Sequence, residues 1–129
     1  MTILIDTHVF LWAILEPHRL SASIRQRFID PDNQLFLSTA SIWEIGTKYA
    51  IKKLPLAIDP NILIPQQMKI QGIQPLPFNI EHALQAHQLP LHHRDPFDRM
   101  LAAQTIDLGA VLVTGDRSLS AFPELSIQW

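Results

Sequence analysis

Four acidic side chains in this sequence lie where apolar runs end or where helices are predicted to begin: Asp6, Glu44, Asp98 and Asp116. Carboxylates gathered in one crevice repel one another, which raises their pKa values unless cations are present. Two divalent ions would balance about four such charges, and hard oxygen ligands suit Mg²⁺ or Mn²⁺ better than Zn²⁺. Two ions about 3.5–4 Å apart can activate a water molecule and stabilise the attacking and leaving oxygens of a phosphodiester. The residue types therefore predict metal-dependent phosphodiester hydrolysis, with these acids as catalytic residues and metal ligands.

The elements that must position these acids alternate between short apolar runs and helical patterns. Residues 3–5, 35–37 and 110–114 are short, mostly apolar runs, as is typical of strands buried on both faces. Residues 73–76 contain a proline, which predicts an edge strand, and residues 125–127 predict a last strand. The alternation predicts an α/β fold with a mostly parallel sheet. Helices are predicted over residues 9–15, 21–30, 42–51, 59–72, 79–87 and 95–109.

The predicted topology brings the four acids together. The carboxyl ends of parallel strands meet at one edge of a sheet, where the crevice of such folds lies. Asp6 and Asp116 come just past predicted strands, and Glu44 and Asp98 lie near predicted helix starts. A purely structural role explains each acid singly: Asp6 and Asp116 can cap helices, and Glu44 follows Ser41 at the spacing of a capping box. Capping does not explain why so many strands in one small domain are followed by an acid.

The segment that begins at Asp95 combines a helix start with a candidate ligand. Asp95 is a predicted N-cap, and Pro96 occupies the first helical position, where its missing N–H costs nothing. Asp98 falls in the first turn, where the helix dipole favours negative charge. For Asp95 the capping role and a role in the site are both open.

In the helix predicted from residue 59, Pro65 is expected to kink the helix or delay its start.

Composition and charge narrow the classes of function. The chain has 10 Lys and Arg against 12 Asp and Glu, a formal charge of −2, whereas nucleic-acid binders are more often basic. Bound cations would invert the local sign, so the global charge does not decide the partner. The sequence has no cysteine, which excludes disulfides and zinc–thiolate sites. No apolar run approaches the roughly 20 residues of a membrane span. We expect residues 1–129 to form one soluble, cytoplasmic domain.

Four motifs carry a resemblance that covers essentially the whole chain. They are Leu-Ile-Asp-Thr at residues 4–7, Ser-Ile-Trp-Glu-Ile at 41–45, Asp-Pro-Phe-Asp-Arg at 95–99 and Val-Thr-Gly-Asp at 113–116. In this order they resemble the PIN-domain nucleases and, more narrowly, the VapC-like toxins of bacterial toxin–antitoxin pairs. The resemblance implies a three-layer α/β/α sandwich with a mostly parallel sheet. It also implies an endoribonuclease that uses Mg²⁺ or Mn²⁺ and acts on structured or single-stranded RNA.

The same resemblance implies partners and roles for residues. Members of this family are similar in being homodimers held inactive by a small antitoxin whose tail reaches into the active site. Asp6 and Asp98 are the first choices for direct metal contact. The implied site consists of the acidic cluster Asp6, Glu44, Asp98 and Asp116, with Asp95, Thr114 and Thr7 as supporting residues.

Basic side chains beside the acids are candidates for contacts to RNA phosphates, which position a nucleic acid without reading its sequence. Pairing with surface acids is an equal alternative for each. His92 and His93 could orient a phosphate, although loop histidines are more often solvated, and no His-Glu-x-x-His pattern favours zinc. Trp12, Trp43 and Tyr49 lie on apolar helical faces and are predicted to be core or interface residues rather than base-stacking platforms. The phosphate-contact candidates are Arg94, Arg99, Arg117 and Lys48.

Two other classes of function stay open. A non-catalytic PIN-like module that binds a partner would keep the fold and the caps, without metal affinity and without arresting growth. A receiver-type α/β domain with a phosphorylated aspartate is disfavoured. Such a domain carries paired acids directly after its first strand, whereas Asp6 is followed by Thr7.

Overall fold

A five-stranded parallel sheet forms the centre of the structure, a computed structural model that describes residues 1–91 and 93–129. Its strands are β1 (Thr2–Ile5), β2 (Gln34–Ser38), β3 (Ile73–Leu76), β4 (Val111–Val113) and β5 (Ile127–Gln128). In the described chain they lie in the order β3-β2-β1-β4-β5, and every neighbouring pair is parallel. The predicted parallel sheet is confirmed, and β3, which contains Pro75, is an edge strand as expected.

The central strand, β1, is buried on both faces, which explains its uninterrupted apolar run. Ile3, Leu4 and Ile5 have no exposed surface. Because side chains alternate across a strand, Ile3 and Ile5 belong to one hydrophobic cluster and Leu4 to another. The sheet therefore separates two cores.

Six helices in the described part of the chain cover the two faces of this sheet. They are α1 (Thr7–Leu15), α2 (Ala22–Ile29), α3 (Thr39–Ala50), α4 (Pro60–Gln71), α5 (Ile80–Gln88) and α6 (Pro96–Leu108). Helices α1 to α4 pack on the face of Ile3 and Ile5, whereas α6 packs on the face of Leu4 with α5 beside it. The expected three-layer sandwich is present. None of these described helices is long and apolar enough to cross a membrane.

Local sequence signals set most helix ends. The Asn79 side chain accepts the N–H of His82 at 2.9 Å while His82 Nδ1 accepts the N–H of Asn79 at 3.1 Å, which closes a capping box. At the other ends of α4 and α6, Gly72 and Gly109 have φ angles of 68° and 63°. Glycine is favoured there because a Cβ makes this left-handed conformation costly.

The start of α3 differs from the prediction. The Ser38 hydroxyl accepts the N–H of Ala40 at 3.0 Å, so the helix begins at Thr39, three residues earlier than expected. Ser41 and Glu44 both lie inside the helix, and the capping box predicted between them was wrong. The capping explanation for Glu44 is thereby removed.

Two smaller predictions are narrowed or corrected. Pro65 was expected to kink α4 or delay its start, and the delay is excluded, since Asp59 caps the helix and Pro60 begins it. The last strand comes two residues later than predicted. It is set by pairing with β4, in which Leu112 lies opposite Ile127.

Candidate active site

Asp6 lies where β1 ends and α1 begins, and only 4% of its surface is exposed. Within the described chain its side chain makes no capping hydrogen bond to α1, so capping does not account for it. Its carboxylate accepts a 2.7 Å hydrogen bond from the Thr114 hydroxyl. Burial raises the pKa of Asp6 and the charge of Glu44 raises it further, while the Thr114 bond and the charge of His8 oppose the rise. A cation would supply the missing counter-charge.

Glu44 projects from the second turn of α3 and is buried close to Asp6, since its charge raises the pKa of that acid. Lys48, one turn later, donates from Nζ to Glu44 Oε2 at 2.6 Å, and this bond raises the lysine pKa. The Thr7 hydroxyl donates to Ser41 Oγ at 2.8 Å. Thr7, predicted to support the site, thus ties the start of α1 to α3.

Asp98 lies in the first turn of α6, behind the predicted cap. Asp95 accepts the N–H groups of Phe97 at 2.9 Å and of Asp98 at 3.2 Å, so the capping role of Asp95 is confirmed. Burial raises the pKa of Asp98 to about 6, helped by the charges of Asp95 and Asp6 and opposed by a hydrogen bond with His93. Asp98 and Asp6 therefore lie close enough to interact.

His93, which the sequence analysis considered only as a residue that could orient a phosphate, lies in the site against Asp98. Its Nε2 lies 2.8 Å from Asp98 Oδ2, and 13% of its side chain is exposed. The only signal in the sequence is its position five residues before Asp98 in a loop. The adjacent His92, proposed with it as a phosphate ligand, lies outside the described residues.

Asp116 follows β4 and is exposed. Its Oδ1 accepts the N–H of Ser118 at 2.9 Å and the Ser118 hydroxyl at 2.7 Å, and the hydroxyl bond lowers the pKa of Asp116. The predicted capping role is therefore present here. Thr114 donates to Asp6 and accepts the Asp116 N–H at 3.0 Å. This threonine links the two acids that follow the neighbouring strands β1 and β4.

These contacts gather the four acids at the carboxyl edge of the sheet. Asp6 interacts with Glu44 on one side and with Asp98 on the other. One ligand atom each from His93, Asp98 and Asp116 lies within 4.8 Å of the others. A donor set dominated by carboxylate oxygens fits a hard divalent cation. Zinc would need more nitrogen or sulfur ligands.

The four basic candidates fall into two groups. Arg94 and Arg117 are exposed, and 41% of the Lys48 side chain is exposed. Arg99 is instead buried, and the prediction that it contacts phosphate was wrong. Its guanidinium donates to four backbone carbonyls at 2.7–2.8 Å, those of Ala86, Leu89, Pro90 and His93. It holds the loop between α5 and α6.

The aromatic candidates also differ from one another. Trp12 is half-buried and packs edge-on against Trp129 at 5.5 Å between ring centroids. Trp43 is 63% exposed and packs edge-on against Phe97 at 5.4 Å, so it is not a core residue. Trp43 and Phe97 directly precede Glu44 and Asp98, which places this aromatic pair beside the acids.

Comparison with known proteins identifies relatives along the whole chain. A family model described as the PIN domain matches residues 3–125. Ribonuclease VapC22 of Mycobacterium tuberculosis is 32% identical over 119 residues, which span 92% of this chain and 89% of that protein.

Solved structures share the fold. The DNA-bound VapBC of Salmonella typhimurium contains a chain with a TM-score of 0.73 and 21% identity, and the match covers 99% of this chain and 97% of that one. VapBC2 of Rickettsia felis, bound to a DNA fragment from its promoter, gives a TM-score of 0.72 and 16% identity over 99% and 98%. At these identities the likeness shows the fold.

Proposed function

Because the chain belongs to the PIN-domain family, we propose that it is a metal-dependent endoribonuclease and the toxin of a toxin–antitoxin pair. The observation that carries the proposal is the convergence of Asp6, Glu44, Asp98 and Asp116 at one edge of the sheet. A fold hosts many activities, and the site decides among them. The ribonuclease name of the relative supports RNA as the substrate.

The proposed roles follow from burial and contacts. Asp6 and Asp98 hold Mg²⁺ or Mn²⁺ directly, and Glu44 and Asp116 complete the ligand set. When bound, the metal makes water a stronger nucleophile and stabilises charge on the phosphate oxygens. Thr114 keeps the Asp6 carboxylate oriented through its 2.7 Å hydrogen bond.

We assign the positioning of the RNA substrate to exposed basic side chains. Lys48, Arg94 and Arg117 offer contacts to RNA phosphates, and such contacts fix the position of a strand without reading its sequence. We place this activity in the cytoplasm, where the RNA substrate is found.

The proposal includes two protein partners. The solved relatives are VapBC toxin–antitoxin complexes, which supports a small antitoxin as the partner of this chain, and we propose a homodimer as its assembly. The alternative, a non-catalytic binding module, is not favoured. It gives no reason for burying Asp6 and Glu44 together, and the VapC22 relative carries the name of a ribonuclease.

The test is cleavage of labelled total RNA by purified protein freed of any partner, with and without Mn²⁺. We expect discrete fragments that require the metal. Asp6→Asn and Asp98→Asn should each lower the rate at least about a hundredfold, because a neutral amide is a poor ligand for a hard cation.

Asp59→Asn is the matched control. Asp59 caps α4 and accepts the N–H of Asn61 at 2.8 Å, a role that asparagine can fill. It should cleave at the wild-type rate. Metal-independent cleavage, or full activity in either site variant, would overturn the proposed mechanism.

A further inference from the structure

Two of the four acids, Asp98 and Asp116, are held by more than the elements that carry them. A chain of hydrogen bonds runs from Asp98 through His93 and Ser118 to Asp116, joining the start of α6 to the loop after β4. We propose that His93 is a positioning residue of the metal site, which acts with Ser118 to hold one oxygen of each carboxylate and leave the other oxygen for the cation. The inference rests on the proposed function.

The distances show which carboxylate oxygens of Asp98 and Asp116 take part in these hydrogen bonds. His93 Nε2 lies 2.8 Å from Asp98 Oδ2, and His93 Nδ1 lies 3.1 Å from Ser118 Oγ. Ser118 Oγ in turn lies 2.7 Å from Asp116 Oδ1. Oδ1 of Asp98 and Oδ2 of Asp116 are the oxygens that this chain does not engage.

The direction of these bonds follows from the single hydroxyl proton of Ser118. Asp116 Oδ1 only accepts, so Ser118 donates to it and must itself accept from His93 Nδ1–H. The imidazole is thereby fixed in rotation, with Nδ1 facing Ser118 and Nε2 facing Asp98. Partners of this kind orient metal ligands, and their loss typically lowers metal affinity about 10- to 100-fold.

Two further contacts hold His93 in place, one to its ring and one to its backbone. Its ring packs edge-on against Phe122 at 5.9 Å between centroids. The backbone carbonyl of His93 accepts a 2.8 Å hydrogen bond from the buried Arg99 guanidinium. Arg99 belongs to the same helix as Asp98, so one helix supplies both the ligand and the anchor of the loop that positions it.

The experiment measures Mn²⁺ affinity directly, by calorimetry or by the electron paramagnetic resonance of free Mn²⁺, alongside cleavage. We expect His93→Gln to weaken Mn²⁺ binding about 10- to 100-fold. It should raise the Mn²⁺ concentration for half-maximal cleavage by the same factor, with a near-normal rate at saturating metal. Ser118→Ala, at an exposed position, should do the same with no loss of folding. His93 and Ser118 act as one chain, so the double variant should be little worse than His93→Gln alone.

His18→Gln is the matched control, since His18 is exposed beyond the far end of α1. Unchanged Mn²⁺ affinity in both site variants would overturn the role of His93 and leave the nuclease proposal intact. Coupling of a ¹⁴N nucleus to bound Mn²⁺, lost in His93→Gln, would also overturn it, because the imidazole would then be a ligand. No Mn²⁺ binding by the wild-type protein would overturn both proposals.

Discussion

At the scale of single residues, keeping carboxylates charged in the candidate site lowers the stability of the folded protein. Asp98 is partly buried among other acids, and its pKa is about 6 against an ordinary value of 3.8. The folded protein therefore holds the charged form of this side chain less favourably than the unfolded chain does. At 1.36 kcal/mol per unit, the difference sets an upper bound of about 3 kcal/mol on the penalty at neutral pH, and solvent screening at this partly exposed side chain lowers it. The metal, when bound, offsets that penalty.

Asp98→Asn should therefore stabilise the metal-free protein while removing Mn²⁺ binding. We expect a gain of about 1–2 kcal/mol in the free energy of unfolding at pH 7, because solvent screening lowers the full electrostatic penalty. The gain should shrink as the pH falls towards 4, where the carboxyl group is protonated in the folded protein and increasingly so in the unfolded chain. Urea unfolding in EDTA at several pH values measures it. A loss of stability at pH 7 would contradict the assignment.

Protons and metal compete for the same carboxylate, which gives a second prediction. Asp98 has a raised pKa, so its proton is bound below about pH 6, and the affinity for Mn²⁺ should fall by about tenfold per pH unit below that value. Asp6, whose pKa is also raised, should steepen the fall. Calorimetric titrations between pH 5 and pH 7.5 test this, and a pH-independent affinity would contradict it.

At the scale of elements, the loop between α5 and α6 is held by one buried cation. Arg99→Met would leave four backbone carbonyls without their guanidinium donor, and we expect a loss of about 3 kcal/mol or more of stability. Hydrogen exchange should speed up over residues 86–95. Arg94→Met, at an exposed position, is the control and should change stability by no more than about 0.5 kcal/mol. Equal stability of the two variants would show that the buried bonds contribute little.

At the start of α6, the capping acid Asp95 and the proposed metal ligand Asp98 have different roles, which mutation can distinguish. Asp95→Asn keeps an acceptor for the N–H groups of Phe97 and Asp98, so it should fold normally and bind Mn²⁺. Asp95→Ala should lose about 1 kcal/mol of stability. Loss of Mn²⁺ binding in Asp95→Asn with an unchanged thermal midpoint would instead make Asp95 a ligand.

The elements differ in how far the sequence could predict them. Apolar runs and prolines located β1, β2 and β3, and the cap at Asp95 located α6. The start of α3 was misplaced because Ser38 and Ser41 are both plausible caps, and only the tertiary structure selects Ser38, whose hydroxyl also bonds to Gln104 at 2.5 Å. The roles of Arg99 and His93 could not be predicted, because Arg99 bonds to backbone carbonyls and His93 to Asp98 and Ser118, contacts that only the tertiary structure brings together.

At the scale of the whole molecule, the sheet order places both ends of the described chain at the site. Strand β1 lies between β2 and β4, and the Thr114–Asp6 hydrogen bond joins residues 108 positions apart. Such long-range contacts form slowly, because the entropy of closing the chain must be overcome first.

This topology has a consequence for synthesis on the ribosome. Asp6 is made 108 residues before Thr114, and Thr114 and Asp116 must leave the ribosome before β4 can pair with β1 and complete the acidic cluster. For most of translation the nascent chain holds its first strand without one neighbour and its site without the last acid. The proposed metal site is therefore complete only after β4 and the loop that follows it have emerged and paired with β1.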